Sequence, residues 1–280
     1  MNKIGIFYHP MVEVAFAKAK QLQDFLVANG VAVWLCSAWE GEKVKAELDD
    51  TDLILSVGGD GTILRSAQAV VSRKIPITGI NLGNLGFMTE LSADEALEQL
   101  PALLAGKGWI DERAMLEAEL LTASRKPAKK FHALNDVVVA RGGVARLIQV
   151  EASIDGQHLA TYRADGVILA TATGSTGYSL AAGGPIIYPQ SEDFLLVPIA
   201  PHLSSAYVLV LPAKTIVELR VKAILEAALS IDGHVNLPLS DGATITVKRS
   251  SKTTRFLRIH PEDSFYRSLE EKLKGRRQVV

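Results

Sequence analysis

The stretch Leu53-Ile54-Leu55-Ser56-Val57-Gly58-Gly59-Asp60-Gly61-Thr62 runs an apolar, strand-like segment into three glycines set around one aspartate. Glycine allows positive φ and lets a ligand approach the backbone closely. The N–H groups exposed where a helix begins attract phosphate. An acid among them would repel phosphate unless a metal ion or a hydroxyl lies between. Asp60 in this cradle therefore points to phosphoryl transfer to an alcohol, with Gly58, Gly59, Gly61 and Thr62 as the phosphate-binding candidates. A plainer reading makes the stretch a tight strand-to-helix turn with Asp60 as the capping residue.

Three further stretches could share a site with it. Asn81-Leu82-Gly83-Asn84-Leu85-Gly86-Phe87-Met88 follows an apolar strand, and Phe87 could face a flat ring or sit in the core. Asn135-Asp136 opens another apolar run, where the pair could hydrogen-bond a nucleoside or cap the strand. Asp165 to Pro185 is a strand ending in Thr173-Gly174-Ser175-Thr176-Gly177-Tyr178, which offers hydroxyls and bare N–H groups to a polyanion or sugar and a ring for stacking. Several standard signatures are missing. There is no G-x-x-x-x-G-K-[ST] loop, Gly59 to Leu64 lacks the last glycine of a dinucleotide fingerprint, and the six histidines form no H-E-x-x-H spacing.

The elements that must position these residues change character along the chain. Apolar runs at Ile4–Tyr8, Val31–Cys36, Leu53–Val57 and Ile77–Ile80 alternate with helical patterns over Val14–Leu26 and Thr62–Val71. That alternation predicts a mainly parallel sheet covered on both faces, a three-layer α/β domain. Ser92-Ala93-Asp94-Glu95 has the form of a capping box and opens a helix ending near Gly106. From Met115 on, the runs are short and strand-like: Met115–Leu121, Ala133–Ala140, Leu147–Ile154, Gly166–Thr171, Thr215–Val221 and Ala243–Lys248. Asp155-Gly156, Asp232-Gly233 and Asp241-Gly242 are hairpin signals between them. The expected division is an α/β domain over 1–112, an all-β, sandwich-like domain over 113–260, and a closing helix within 261–280. A site in the cleft between the domains is the default expectation.

Composition narrows the class. With 280 residues, 48% hydrophobic and 22% charged, the chain can bury large cores. A formal net charge of −1 argues against nucleic-acid binding. The basic clusters Arg125–Lys130 and Lys272, Lys274, Arg276, Arg277 read as a solvated hairpin loop and a solvated tail. The single cysteine, Cys36, excludes an internal disulfide, agrees with a reducing cytoplasm and reads as a core thiol. No apolar run reaches the ~20 residues of a membrane span.

Together and in this order, the four stretches resemble one family, the NAD kinases, which phosphorylate the 2′-hydroxyl of the adenosine ribose of NAD. The pairing of Gly58–Thr62 with Thr173–Tyr178 is the most specific part. The aspartate loop alone is shared with diacylglycerol, sphingosine and phosphofructokinases. The resemblance implies that Asp60 orients or deprotonates the hydroxyl. It places Gly61, Arg65 and Phe87 in the NAD site, with Asn135 and Asp136 on the family's Asn-Glu pair. Arg146, Arg163 and Asp165 match other NAD contacts, and Thr176, Gly177, Tyr178, Ser179, Leu180 and Ala181 match the loop that wraps the nucleotide. Ala200 and His234 align with further contacts. It also implies ATP or polyphosphate as donor, Mg²⁺ bound through the donor phosphates, a final helix returning to the first domain, and a dimer or tetramer. Asp136 for glutamate, Ala172 for proline, Gly177 for alanine, Ala181 for serine and Tyr207 near an expected arginine depart from the pattern. The rivals are a lipid kinase sharing the aspartate loop and an NAD-binding sensor without turnover.

Overall fold

Residues 1–83, 86–121, 129–143, 147–202, 207–222, 226–262 and 264–275 are described by the computed structural model of the chain. It divides into two units, Met1–Glu112 with the segment from Thr254 onward, and Arg113–Thr253. The first unit begins with β1 (Lys3–Tyr8), α1 (Glu13–Ala28), β2 (Ala32–Ser37), β3 (Leu53–Val57), α2 (Asp60–Val70), β4 (Ile77–Asn81), β5 (Leu91–Ser92) and α3 (Ala93–Leu104). The second contains β7 (Lys129–Ala133), β8 (Asp136–Arg141), β9 (Ile148–Ile154), β10 (Gln157–Ala164), β11 (Gly166–Thr171), α4 (Tyr178–Ala181), β12 (Phe194–Ile199), β13 (Leu209–Leu211), β14 (Ile216–Lys222), β15 (Ala227–Ile231) and β16 (Val235–Leu239). The long strands β6 (Trp109–Leu121) and β17 (Thr244–Arg258) run from one unit into the other, and α5 (Ser264–Gly275) follows.

In the first unit β2, β1, β3 and β4 lie side by side, all parallel. β5 and the end of β17 also join β4 in parallel. Parallel neighbours need crossovers, and the helices provide them. Ile4, Ile6, Leu53, Leu55, Val57 and Ile80 bury one face against Ala15, Ala19, Leu22 and Leu26 of α1 and Ala96, Leu100 and Leu103 of α3. α2 takes the other face, where Ser66 Oγ donates to Ser56 Oγ at 3.0 Å. Both faces are apolar because both are covered, which is why these strands read as unbroken hydrophobic runs. Cys36 is buried here, and burial, then Glu40, pushes its thiol pKa up.

The second unit is a sandwich of antiparallel sheets. One has the order β13-β12-β11-β8-β15-β16. The other is β10-β9-β14-β17-β6-β7. Val137, Val139, Val167, Leu169 and Leu196 of the first meet Leu116, Val150, Ala152, Leu219, Ile245 and Val247 of the second in one core. The outward residues Val138, Ile168, Ala170, Leu195 and Val197 form a further cluster packed by Ala182, Ile187 and Val208.

Several expectations are corrected. The run Ala133–Ala140 is two strands, β7 and β8, because Leu134 and Asn135 turn between them. Asp155-Gly156 and Asp232-Gly233 do close hairpins, β9–β10 and β15–β16. Asp241-Gly242 does not, since β16 and β17 belong to different sheets. Strands β10, β15 and β16 had no sequence signal strong enough to be read. Lys129 and Lys130 are strand residues rather than loop, with Lys130 Nζ 3.5 Å from Glu119. Arg125 to Ala128 and Arg276-Arg277 lie outside the described residues.

The capping box is formed as its spacing predicts. Ser92 Oγ accepts from the Glu95 N–H at 3.2 Å, and Glu95 Oε2 accepts from the Ser92 N–H at 2.9 Å. Ser92→Ala is expected to cost about 1 kcal/mol. A urea midpoint that falls with an unchanged m-value would show it.

Candidate active site

The aspartate loop is tied into its sheet before it reaches the acid. His9 N–H donates to Val57 O at 3.1 Å and Gly58 N–H to Ile80 O at 2.9 Å, so β1 and β4 hold the end of β3 on both sides. Gly58 has φ +154°, and a Cβ there would lie 2.3 Å from Thr62 Oγ1. Only glycine fits that backbone and that contact. Gly59 is the N-cap of α2, its carbonyl accepting from Thr62 N at 2.9 Å. Asp60 is thus the first helical residue and not the cap. Positions above Gly59 and Gly61 are open, with no atom within 4 Å of an added Cβ. The first N–H groups of α2 have no partner within the helix, and Asp60 is favoured at its positive end.

The Asp60 side chain turns to the second glycine-rich stretch. Phe87 N–H donates to Oδ2 at 2.9 Å and Met88 N–H to Oδ1 at 3.1 Å. A Cβ on Gly86 would stand 2.2 Å from Oδ1, so that position must be glycine for the carboxylate to reach both amides. Asn81 Oδ1 accepts from Gly83 N–H at 3.2 Å and starts the turn. Asn84 and Leu85 lie outside the described residues. The Phe87 ring has Lys272 Nζ of α5 6.0 Å from its centroid, so Lys272 is more than solvated tail. Thr62 Oγ1 is buried without a hydrogen-bond partner among the described residues.

Arg65, one turn along α2, lays its guanidinium 4.2 Å from the Trp39 ring centroid. Partial burial lowers its pKa. Trp39 in turn meets His9 edge-on at 4.6 Å. Neither His9 nor Trp39 had a motif to mark it.

In the second unit one carboxylate organises the start of β8. Asp232, at φ +49° in the β15–β16 turn, accepts from Leu134 N–H at 2.9 Å, Asn135 N–H at 2.7 Å and Asp136 N–H at 3.0 Å. Sequence reading had Asp232 only as a turn residue. Asp136 is buried beside it, and burial, then the Asp232 charge, pushes its pKa up to about 7. Asn135 meets the Thr173–Tyr178 stretch, since a Cβ on Gly174 would lie 2.1 Å from Asn135 O. Asn135 Oδ1 is buried with no partner among the described residues. The third and fourth of the polar stretches, Asn135-Asp136 and Thr173–Tyr178, are therefore one cluster.

Within that stretch most hydroxyls serve the fold. Thr171 Oγ1 donates to Leu134 O at 2.5 Å, Ser175 Oγ to Ala172 O at 2.6 Å and Thr176 Oγ1 to Thr173 O at 3.2 Å. A turn this tight leaves carbonyls that need donors. Arg113 Nη1 donates to Thr173 Oγ1 at 3.3 Å. Tyr178 is 47% exposed, its ring available for stacking. Ser179 is fully buried, its Oγ without a partner among the described residues, while Gly177 and Leu180 are half-buried and Ala181 exposed. Asp165 is held by Arg141 Nε at 2.7 Å, a partner that sequence reading missed. Arg163 is exposed on β10 and Ala200 is exposed at φ +42°. His234 Nδ1 lies 3.2 Å from Asp232 O. Tyr207 is 69% exposed. Arg146 lies outside the described residues.

A parallel α/β unit with an aspartate in a glycine-rich helix start, followed by an antiparallel sandwich, defines a kinase of the aspartate-loop type. The sequence model of the ATP-NAD kinase N-terminal domain matches residues 4–108, and that of the ATP-NAD kinase C-terminal domain matches residues 134–259. An NAD kinase of Dehalococcoides mccartyi is 50% identical over 279 residues, covering 100% of this chain and 98% of the relative. One from Chloroflexus aurantiacus is 37% identical over 274 residues, covering 98% and 99%. Yeast NADH kinase complexed with NADH superimposes with a TM-score of 0.87 at 25% identity, covering 98% of this chain and 88% of that one. An NAD kinase from Archaeoglobus fulgidus in complex with ATP gives 0.78 at 29% identity, covering 98% and 99%. The chain belongs to the NAD kinase family. No helix among the described residues is long and apolar enough to cross a membrane.

Asp136 generates a prediction of sign. Its folded pKa of about 7 stands above the ordinary 3.8, so between those values the folded protein keeps a proton that the unfolded chain has lost. Stability contributed by that proton falls as pH rises through the window and levels off above it. Asp136→Asn should flatten the loss, read from urea midpoints at about pH 5 and about pH 8. An unchanged slope would mean that Asp136 is ionised throughout.

Proposed function

We propose that the protein transfers the terminal phosphoryl group of ATP, or of polyphosphate, to the 2′-hydroxyl of the adenosine ribose of NAD⁺, giving NADP⁺. The observation that carries this reading is the Asp60 carboxylate, at the open glycine start of α2 and held by the Phe87 and Met88 amides. A carboxylate offers about four acceptor sites. The two amides take one on each oxygen, which leaves room for a substrate hydroxyl. Membership of the NAD kinase family supports NAD as acceptor over a lipid, and the relatives bound to NADH and to ATP support the two substrates.

In this reading Asp60 accepts the hydrogen bond of the 2′-hydroxyl and takes its proton as the oxygen bonds to phosphorus and the donor's bridging P–O bond breaks. Of the phosphate-binding candidates, Gly59 and Gly61 would offer backbone N–H groups to the donor, whereas the N–H groups of Gly58 and Thr62 are already given to Ile80 O and Gly59 O. Arg65 adds positive charge one turn away. Asn135, Asp136, Arg146, Arg163, Asp165, Ala200, His234 and the Thr176–Ala181 stretch with Tyr178 would hold the dinucleotide. Among the described residues no group of three or more His, Cys, Asp or Glu side chains could hold a metal ion. A divalent cation fits this donor set as a passenger on the donor phosphates, where it would screen their charge. A cytoplasmic setting and a homo-oligomer complete the reading, the latter open to light-scattering measurement of mass.

Asp60→Asn keeps the size of the side chain but removes the base and replaces one of the two acceptor oxygens with an NH2 group. It is expected to lower kcat by roughly 10²–10⁴-fold while NAD binding, measured by calorimetry, is largely retained. A variant with near-normal kcat would refute the assigned role.

A further inference from the structure

The two amides that aim Asp60 belong to the turn Gly86–Glu90, and that turn is itself held by the end of β17 and the residues after it. Arg258, the last residue of β17, is 7% exposed. Its Nη1 donates to Met88 O at 2.8 Å, and Met88 N–H donates to Asp60 Oδ1 at 3.1 Å. The same guanidinium reaches Glu90 Oε2 with Nη1 at 3.2 Å and Asp111 Oδ2 with Nε at 3.1 Å. It lies 4.6 Å from the Phe256 ring centroid. Glu90 Oε1 accepts from Ile259 N–H at 2.8 Å and His260 N–H at 2.7 Å, and Glu90 N–H donates to Gly79 O at 2.9 Å. The turn is thus pinned at Met88 by Arg258 and at Glu90 by the backbone that follows β17.

Three acceptors in different directions, two of them buried carboxylates, match the fixed fork of a guanidinium. An ammonium could balance one acid but could not reach all three. Met88 is the only residue between Arg258 and Asp60 on this path.

We propose that Arg258 is a positioning residue for phosphoryl transfer: it fixes Met88, whose amide sets the angle of the Asp60 carboxylate. Glu90 and Asp111 hold Arg258 in place. The proposal rests on the reading of Asp60 as the group that engages the acceptor hydroxyl. It assigns Arg258 no contact with substrate.

The test uses the full-length protein, with steady-state kinetics in NAD⁺ and ATP and circular dichroism to confirm folding. Arg258→Lys is expected to lower kcat by about 10- to 100-fold, the scale of a misplaced catalytic group. KM for each substrate should stay within about three-fold, because an interaction realised only in the transition state is lost. In an Asp60→Asn background the same substitution should cost less than about two-fold, because the carboxylate to be aimed is gone. Should Arg258→Lys fail to fold, Asp111→Asn serves, since asparagine is isosteric with aspartate and Asp111 bonds the Arg258 guanidinium directly. It should show a smaller fall in kcat with the same insensitivity in the Asp60→Asn background. An unchanged kcat in the folded variant, or an equal loss with Asn at position 60, overturns the positioning role and leaves the NAD kinase reading standing. A wild-type protein that makes no NADP⁺ overturns both.

Discussion

Under the proposed reading Asp60 meets a hydroxyl beside phosphate, which needs a fixed direction without spending all the lone pairs of the carboxylate. Here two backbone amides provide it. They fill one acceptor site on each oxygen of Asp60 and come from a turn that carries no charge of its own toward the acid. Gly86 is required because any side chain there would occupy the space of the carboxylate. Gly58 is required because the chain must leave β3 at a φ that other residues avoid and pass under Thr62. The parallel sheet then serves to hold the ends of β3 and β4 in register, so that the two glycine-rich stretches face each other.

The second unit uses a carboxylate in the opposite way. Asp232 gives its oxygens to three successive amides and so becomes part of the backbone that opens β8. Its charge and the surrounding burial raise the Asp136 pKa toward neutrality. The resemblance drawn from the sequence sets this residue against a glutamate, one methylene longer. The shorter Asp136 stays close to the Asp232-bound backbone and is buried with it. The two acids therefore differ because of what already occupies their surroundings, and not because of residue type.

Much of the architecture was legible because burial on both faces writes itself into composition. Strands β1, β3, β4 and β11 are buried at nearly every position, and each was visible as a run, whereas β12, equally buried, was not read as a strand. The capping box before α3 is a local pattern and needed no tertiary information. Strand β10, with alternate residues exposed, was not visible, since Gln157, His158 and Arg163 mask the few apolar positions facing the core. Strand β16 contains Pro238, which an edge strand tolerates because it pairs on one side only. The pair Asp241-Gly242 has hairpin chemistry but joins strands of different sheets, and sheet membership is not a local property.

The amino-acid sequence by itself determined the α/β pattern of the first unit, the β-rich texture of the second, and the glycine–aspartate start of α2. Those follow from periodicity, from turn chemistry and from the few residues that a tight backbone accepts. Tertiary structure alone decided what each polar group faces. It turned Asp60 from a possible helix cap into a side chain held by residues 27 and 28 positions away. It made Asp232 an organiser of a distant strand, and it brought Arg258 to Met88 across 170 residues of chain. A hydrogen bond between distant segments leaves no spacing in the sequence, because its geometry exists only once the sheets have packed.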